Sequence, residues 1–253
     1  MWHFRLTRWA QRRHNKSVSL SPVVLRDDGA KPLGNTSGFR VSSPFSVKMN
    51  VYVDGFNLYY GALKKTPYKW LDLSCLCNLL LPHDTINRIR YFTARVSSYA
   101  HDPGAPNRQQ IYFRALATLP MVTIHYGHFL ANTAWMPLAA SPTIPPQMVQ
   151  VRKTEEKGSD VNLATYLLRD AFVGDYEGAA LITNDSDLLE PIKIVRAELG
   201  LTVGLLNPHP TPSKVLIREA SFIKLIRPGL LAKCQFPSPI RSAGGEIHKP
   251  ASW

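Results

Sequence analysis

The chain reads as an α/β protein built on a mainly parallel central sheet, and three observations predict this. Asn50-Val51-Tyr52-Val53, Gly178 to Thr183 and Leu201 to Leu206 are short apolar runs, the pattern of strands covered on both faces. The first two pass directly into helical spacing, with Leu58 to Leu63 after one and Leu188, Leu189, Ile192, Val195 and Leu199 after the other. A polar cluster occupies each junction: Asp54-Gly55-Phe56-Asn57 and Asn184-Asp185-Ser186-Asp187. In open α/β sheets, ligands bind at these carboxyl ends of strands.

The remaining elements follow in order. Asp54-Gly55 is a strong hairpin dipeptide, but a helical segment follows it, so the turn leads into a helix starting near Leu58. Trp70 to Leu81 reads as a second helix with Leu73, Leu76, Cys77 and Leu80 inward. Arg88 to Ser97 reads as a strand. Pro106 to Leu119 reads as a helix with proline near its start. Met121 to Phe129 reads as one strand, which would turn His125 and His128 to opposite faces and make them a poor shared metal pair. Asn132 to Gln147 carries Pro137, Pro142, Pro145 and Pro146 and reads as an irregular excursion. Val149 and Val151 suggest a short strand. Gly158 then permits a tight turn into a helix whose expected buried stripe is Val161, Ala164, Leu168 and Ala171. Leu201 to Leu206 is the last core strand, followed by a short helix around Ser213 to Ala220 and a strand at Phe222 to Ile226.

Composition bounds the organisation. Of the formal charge of +12 over 253 residues, residues 1–48 supply +7, from nine basic and two acidic side chains. That stretch is rich in Arg, Ser, Pro and Gly without an apolar period, and disorder is expected there. Its first 26 residues lack any acid, in weak resemblance to a transit peptide; Met49, just before the first strand, is an alternative start. The expected organisation is an extension over 1–48, one domain over 49–226, and a loose Pro/Ser/Gly-rich tail over 227–253. The remaining +5, carried by residues 49–253, suits a polyanion partner. Three cysteines, Cys75, Cys77 and Cys234, lack zinc-type spacing and point to a reduced, cytoplasmic setting. No apolar run approaches membrane-spanning length, and neither phosphate-loop nor dinucleotide fingerprint is present, so no membrane and no nucleotide cofactor are expected.

The acids carry the chemistry. Asp54 ends the first strand, Asp160 opens a helix, and Asp185 with Asp187 follows a later strand. Taken singly, Asp54 reads as a turn residue, Asp160 as a helix-capping residue, and a cap explains one or two of the polar residues at 184–187. Taken together, right-handed crossovers bring these ends to one sheet edge. Carboxylates converging there repel unless a cation lies between them. All-oxygen donors select Mg²⁺ or Mn²⁺ over zinc, and such ions serve phosphoryl displacement.

Val51-Tyr52-Val53-Asp54-Gly55-Phe56-Asn57-Leu58-Tyr59, Lys157-Gly158-Ser159-Asp160-Val161 and Thr183-Asn184-Asp185-Ser186-Asp187 resemble the motifs of NYN domains, the LabA-like branch of the PIN-like nucleases. The resemblance runs from Met49 to Ile226. It implies a PIN-like three-layer α/β/α fold and metal-dependent cleavage of single-stranded RNA. Position by position, Asp54, Asp160, Asp185 and Asp187 match the family's acidic Mg²⁺/Mn²⁺ site, Asn57 its polar companion, and Ser186 its T-N-D-S-D element. Lys153, Lys157 and Arg95 are candidates for substrate phosphates, and Phe56, Tyr59 and Tyr60 for stacking on bases. A homo-oligomer is compatible with the sequence. The alternative is a PIN-like RNA-binding or regulatory module with little turnover. A haloacid-dehalogenase-type phosphatase is disfavoured, because that chemistry wants its D-x-D pair at the first strand.

Overall fold

The computed structural model describes residues 46–98, 102–140, 144–242 and 244–253. Six parallel strands form the central sheet: β1 (Lys48–Asp54), β2 (Thr85–Thr93), β3 (Val122–Tyr126), β6 (Gly178–Ile182), β7 (Thr202–Asn207) and β8 (Phe222–Leu225). Their spatial order is β3-β2-β1-β6-β7-β8. The chain therefore builds outward from β1 in one direction, then returns to β1's other side and builds the opposite way. That reversal between β1 and β6 is the switch point where doubly wound sheets open a crevice.

Alternation along β1 sorts the two cores. Met49, Val51 and Val53 face a layer made by α1 (Gly55–Leu58, continued as a wider π-helical turn through Tyr59–Leu63), α2 (Leu73–Leu80) and α3 (Ala105–Leu116). Tyr52 faces the other layer with α4 (Ser159–Phe172), α5 (Leu189–Lys193) and α6 (Lys214–Glu219), which supply Leu163, Leu167, Ile192 and Leu216. The result is the expected three-layer α/β/α domain. No helix among the described residues is long and apolar enough to cross a membrane.

Several expectations are corrected. The run from Met121 to Phe129 is not one strand. β3 ends at Tyr126, and β4 (His128–Pro137) leaves the sheet to pair antiparallel with β5 (Met148–Lys157) over their whole length. His125 and His128 thus lie in different sheets. The Pro-rich excursion is largely this hairpin: Pro137 closes β4, and Pro145 and Pro146 precede β5, where no ladder hydrogen bond is lost, while Pro142 lies outside the described residues. The stripe on α4 is shifted. Leu163, Leu167 and Ala171 are buried while Val161 is 69% exposed, because Ser159, tied to Glu156, sets the phase of the first turn. Smaller shifts affect the expected helices and β2, which spans Thr85–Thr93 rather than 88–97.

The tail after residue 226 is not loose. α7 (Pro228–Lys233) and a small hairpin, β9 (Ile240–Ser242) with β10 (Gly245–Ile247), close the first helical layer. Ile240 and Ile247 are buried, and Trp253 packs edge-on against Trp70 and Tyr112. Well-spaced apolar anchors, not mean composition, decide order there. Cys77 and Cys234 are buried, and Cys75 touches Cys234. The expected disorder over 1–48 lies, up to residue 45, outside the described residues; Val47 and Lys48 belong to the domain, since the Val47 carbonyl accepts from Thr85 N and Lys48 pairs with Thr85.

Candidate active site

The crevice at the carboxyl ends of β1 and β6 is lined by Asp54, Asn57, Asp160 and Asp185, together with Phe56, Tyr60, Phe129, Thr154, Glu156, Ser159 and His209. Asp54 is the last residue of β1 and caps α1: one carboxylate oxygen accepts from Asn57 N at 2.9 Å, the other from the Thr183 hydroxyl at 3.2 Å. Gly55 follows because no larger residue fits. A Cβ there would lie 2.7 Å from the Tyr91 ring and 2.8 Å from the Phe92 carbonyl.

Thr183 and Asn184 lock the second junction. The Thr183 hydroxyl also accepts from Asp185 N at 3.1 Å, so one side chain fixes both acids. Asn57 Oδ1 accepts from Asn184 N at 3.0 Å, joining the ends of β1 and β6 directly. Asn184 in turn holds the loop after β7, donating to Thr211 O and accepting from Ser213 N. Asp185 Oδ1 accepts from Asp187 N at 3.0 Å and starts a single 3₁₀ turn.

Asp160 arrives from the other layer. Gly158 precedes α4 at φ +94°, the left-handed region that favours glycine. Glu156, not Asp160, takes the capping role by accepting from the Ser159 N–H and hydroxyl. Asp160 is thereby left free to face the cleft. Its carboxyl is pushed up to about 6, first by burial and then by Asp54, Asp185, Glu156 and Asp187. Burial also raises Asp54, against hydrogen bonds that lower it.

The structure brings Asp54, Asp160, Asp185 and Asn57 to one cleft. It does not bring Asp187 or Ser186 to the lining; both are exposed on the turn that follows Asp185, though the Asp187 charge still reaches Asp160. Nor does it bring Arg95, which lies over the Tyr126 ring, or Lys153 and Lys157, both paired with the surface carboxylate Glu155 beside the cleft wall. The acids converge without closing into a cage: among the described residues, no three His, Cys, Asp or Glu side chains stand at metal-ligand spacing. One oxygen each of Asp54 and Asp185 is committed to a backbone N–H, which holds the carboxylates on their own strand ends. The donor set still fits a hard divalent cation, being oxygen-rich, with burial first and then the neighbouring carboxylates opposing the charge on Asp160.

Sequence reasoning missed Glu156, Thr154 and His209. His209 follows β7, the strand next to β6, and the strand-end rule that found Asp185 points to it equally; a Cβ on Gly61 would lie 2.7 Å from its ring. Glu156 carries a weaker signal, an acid three residues before the serine that opens a helix. Also unread was the polar network under the sheet. Asp170, with 0% exposure, accepts from Arg90 through both oxygens (2.7 and 3.1 Å) and from Tyr52 Oη at 2.8 Å.

A family model described as NYN domain matches residues 48–226. The 6-hydroxy-3-succinoylpyridine 3-monooxygenase of Pseudomonas putida is 32% identical over 236 residues, spanning 82% of this chain and 75% of that protein. A Vibrio parahaemolyticus protein of unknown function has a structure similar at a TM-score of 0.48, with 14% identity over 74% of this chain and 96% of its own. MurG of Acinetobacter baumannii overlaps at a TM-score of 0.34, with 10% identity over 76% of this chain and 43% of its own.

Proposed function

This chain belongs to the NYN domain family, a branch of the PIN-like nuclease superfamily, and from that premise we propose that it is a ribonuclease hydrolysing phosphodiester bonds of single-stranded RNA at a Mg²⁺ or Mn²⁺ site in the cytoplasm. The observation that carries the reading is the convergence of Asp54, Asp160 and Asp185 on the crevice at the switch point of the sheet. Asp54 and Asp185 would hold the ion from the two strand ends and Asp160 from the facing helix; Asp187 supports Asp185 through its N–H and adds charge from behind. A bound divalent cation would supply Lewis-acid stabilisation of the phosphoryl oxygens and a nucleophilic water at neutral pH.

The other residues have supporting roles in this reading. Asn57 braces the two acidic strand ends against each other and also lines the cleft, where it would meet substrate. Ser186, exposed on the turn, and Lys153, Lys157 and Arg95, exposed around the cleft, would meet the RNA backbone. Lys153 and Lys157 share one surface partner, Glu155, and a phosphate displaces such a pairing readily.

A second reading has a specific observation behind it. The relative from P. putida is named for oxygenating a substituted pyridine, and an aromatic-walled cavity adjoins the cleft here. Incubating the protein with unstructured RNA, with and without Mn²⁺, tests the first reading; aerobic incubation with 6-hydroxy-3-succinoylpyridine and a two-electron reductant such as a reduced nicotinamide or flavin, read as O₂-dependent formation of an oxygenated pyridine, tests the second. Cleavage that requires metal and is lost in Asp185→Asn supports the ribonuclease. RNA bound but uncut would make the domain a binding module, and RNA neither bound nor cut would remove the proposal.

A further inference from the structure

Beside the acidic cleft lies a separate cavity of about 210 Å³. None of Asp54, Asp160 or Asp185 lines it. Tyr59, Tyr60, Tyr112, Phe113 and Trp253 give it aromatic walls, and three distant parts of the chain (the π-helical turn after α1, α3 and residue 253) converge on it. It shares Phe56, Tyr60 and Val96 with the cleft, which makes the two spaces neighbours across one aromatic partition.

Size and charge narrow what could enter. Pockets for drug-sized ligands run to roughly 300–1,000 Å³, so this one suits a single ring system and not a longer molecule. Its charged wall residues are Lys64, Lys69, Arg108 and Asp102. Asp102 holds Arg108 with both oxygens, at 2.5 and 2.6 Å, leaving the lysines to set the sign. Lys64 Nζ lies 4.7 Å above the exposed Tyr60 ring. Burial and the nearby Lys249 and Arg108 charges lower the Lys69 pKa, a condition that an arriving anion relieves. Flat aromatic walls offer stacking, which every heteroaromatic ring accepts.

We propose that this cavity binds one planar heteroaromatic ring bearing an anionic group, the ring stacking on the tyrosine and tryptophan walls and the anion meeting Lys64 and Lys69. The ring has two sources, a nucleobase of an RNA strand whose backbone runs on into the cleft or a free heteroaromatic acid. The first source rests on the ribonuclease reading; the binding itself does not. Because the partition is shared, an occupant would place its attached group next to the acids.

Titration calorimetry of the full chain in EDTA, where no cleavage can occur, separates these. The probes are AMP and UMP, pyridine-3-carboxylate, and ribose 5-phosphate as an anion without a ring. Binding of a mononucleotide, at least about tenfold tighter than ribose 5-phosphate, supports the proposal with a nucleobase as source. Binding of pyridine-3-carboxylate alone supports it with a free acid as source. Ala105→Phe, which projects a ring from the cavity wall, should weaken the bound probe by about tenfold or more. Tyr60→Ala should weaken it too, and as Tyr60 is 60% exposed this variant folds normally. Binding of neither ring-bearing probe, equal binding of ribose 5-phosphate, or unchanged affinity in Tyr60→Ala overturns the proposal. The ribonuclease reading is judged on metal-dependent RNA cleavage in a separate tube, so either can fail alone.

Discussion

Asp185→Asn in the metal-free protein probes the cleft without knowledge of the substrate. The change keeps the local fold, because an asparagine oxygen caps the Asp187 N–H as an aspartate does. Asp54→Asn is less clean, since the Thr183 hydroxyl that donates to Asp54 would lose its acceptor. At Asp185 the main loss is one negative charge facing Asp54 and Asp160. Two unit charges 4 Å apart interact by about 1 kcal/mol in water and about 4 kcal/mol at an effective dielectric of 20. The cleft is open to solvent, so relief of about 1 kcal/mol is expected, which is ~2–4 °C in Tm for a domain of this size. In EDTA at pH 7 the variant should therefore melt above wild type. The pH dependence has a definite sign. Asp160 is pushed up to about 6 in the folded protein, and a carboxyl raised on folding destabilises above its folded pKa but not below its unfolded value of about 4. The difference between variant and wild type should thus shrink as pH falls from 7 to 4. Metal acts in the opposite sense: at a hundredfold excess over Kd it stabilises wild type by about 2.7 kcal/mol, roughly 5–10 °C, and the variant should gain less. Scanning fluorimetry reads all three. A variant that melts below wild type in EDTA and gains as much from Mn²⁺ would make Asp185 a structural cap and refute the shared site.

Asp170→Ala should lower stability by about 3–5 kcal/mol, measured by urea unfolding, because it strands the buried Arg90 guanidinium; a loss under about 1 kcal/mol would mean that water replaces the carboxylate. Beginning the chain at Met49 should lower Tm against a chain beginning at residue 44, since Val47 packs on the core and its carbonyl accepts from Thr85 N. Deleting residues 237–253 should destabilise by several kcal/mol, as burying one isoleucine contributes roughly 1.5–3 kcal/mol and both Ile240 and Ile247 are buried. Trp135→Ser on the hairpin should leave Tm unchanged, because that side chain is 65% exposed.

Legibility followed the range of the forces involved. Strands β1, β6 and β7 and the helices after the first two were readable because both-face burial writes an unbroken apolar run and helices write their own period. The acids of the cleft were readable because a strand-end position is local, and handedness then brings strand ends to one edge. Of the β4–β5 hairpin only the strand at Val149 and Val151 was readable, where half-buried and exposed residues alternate. Its pairing is between residues such as His128 and Lys157, and β4 is almost wholly solvent-facing. The C-terminal segment was misread for a related reason: Ile240, Ile247 and Trp253 are anchors spaced too widely to form a period, and only the helical layer they meet makes them core. Asp170 sits in α4 where its neighbours are apolar, but its partner Arg90 is on β2 and invisible to any local window. Lys153 and Lys157 were candidates for substrate phosphates, and the partner they share, Glu155, lies between them on the same strand and takes both.

Family membership fixes the frame of this molecule more firmly than its reaction, since one fold carries many chemistries and the site decides among them. Here the site has two compartments with different selectivities. In the proposed reading the cleft, built from carboxylates held on separate elements, would take a cation and whatever anion the cation recruits. The proposed occupant of the cavity, whose wall includes rings and lysines, is a flat, negatively substituted group. Phe56, Tyr60 and Val96 belong to both walls. A substrate filling both compartments at once would carry a ring linked to an oxygen-rich group. A nucleotide within a strand meets that description, and so does a pyridine with an acidic side chain. The two differ in what lies beyond the linkage: a strand continues along the β5 side of the cleft past Lys153 and Lys157, a small acid ends there. Replacing both lysines by glutamine should consequently weaken RNA by about tenfold or more and leave pyridine-3-carboxylate untouched. Equal loss of both probes would show that the lysines act on the fold or on the cavity, and would break the division of the site into two compartments.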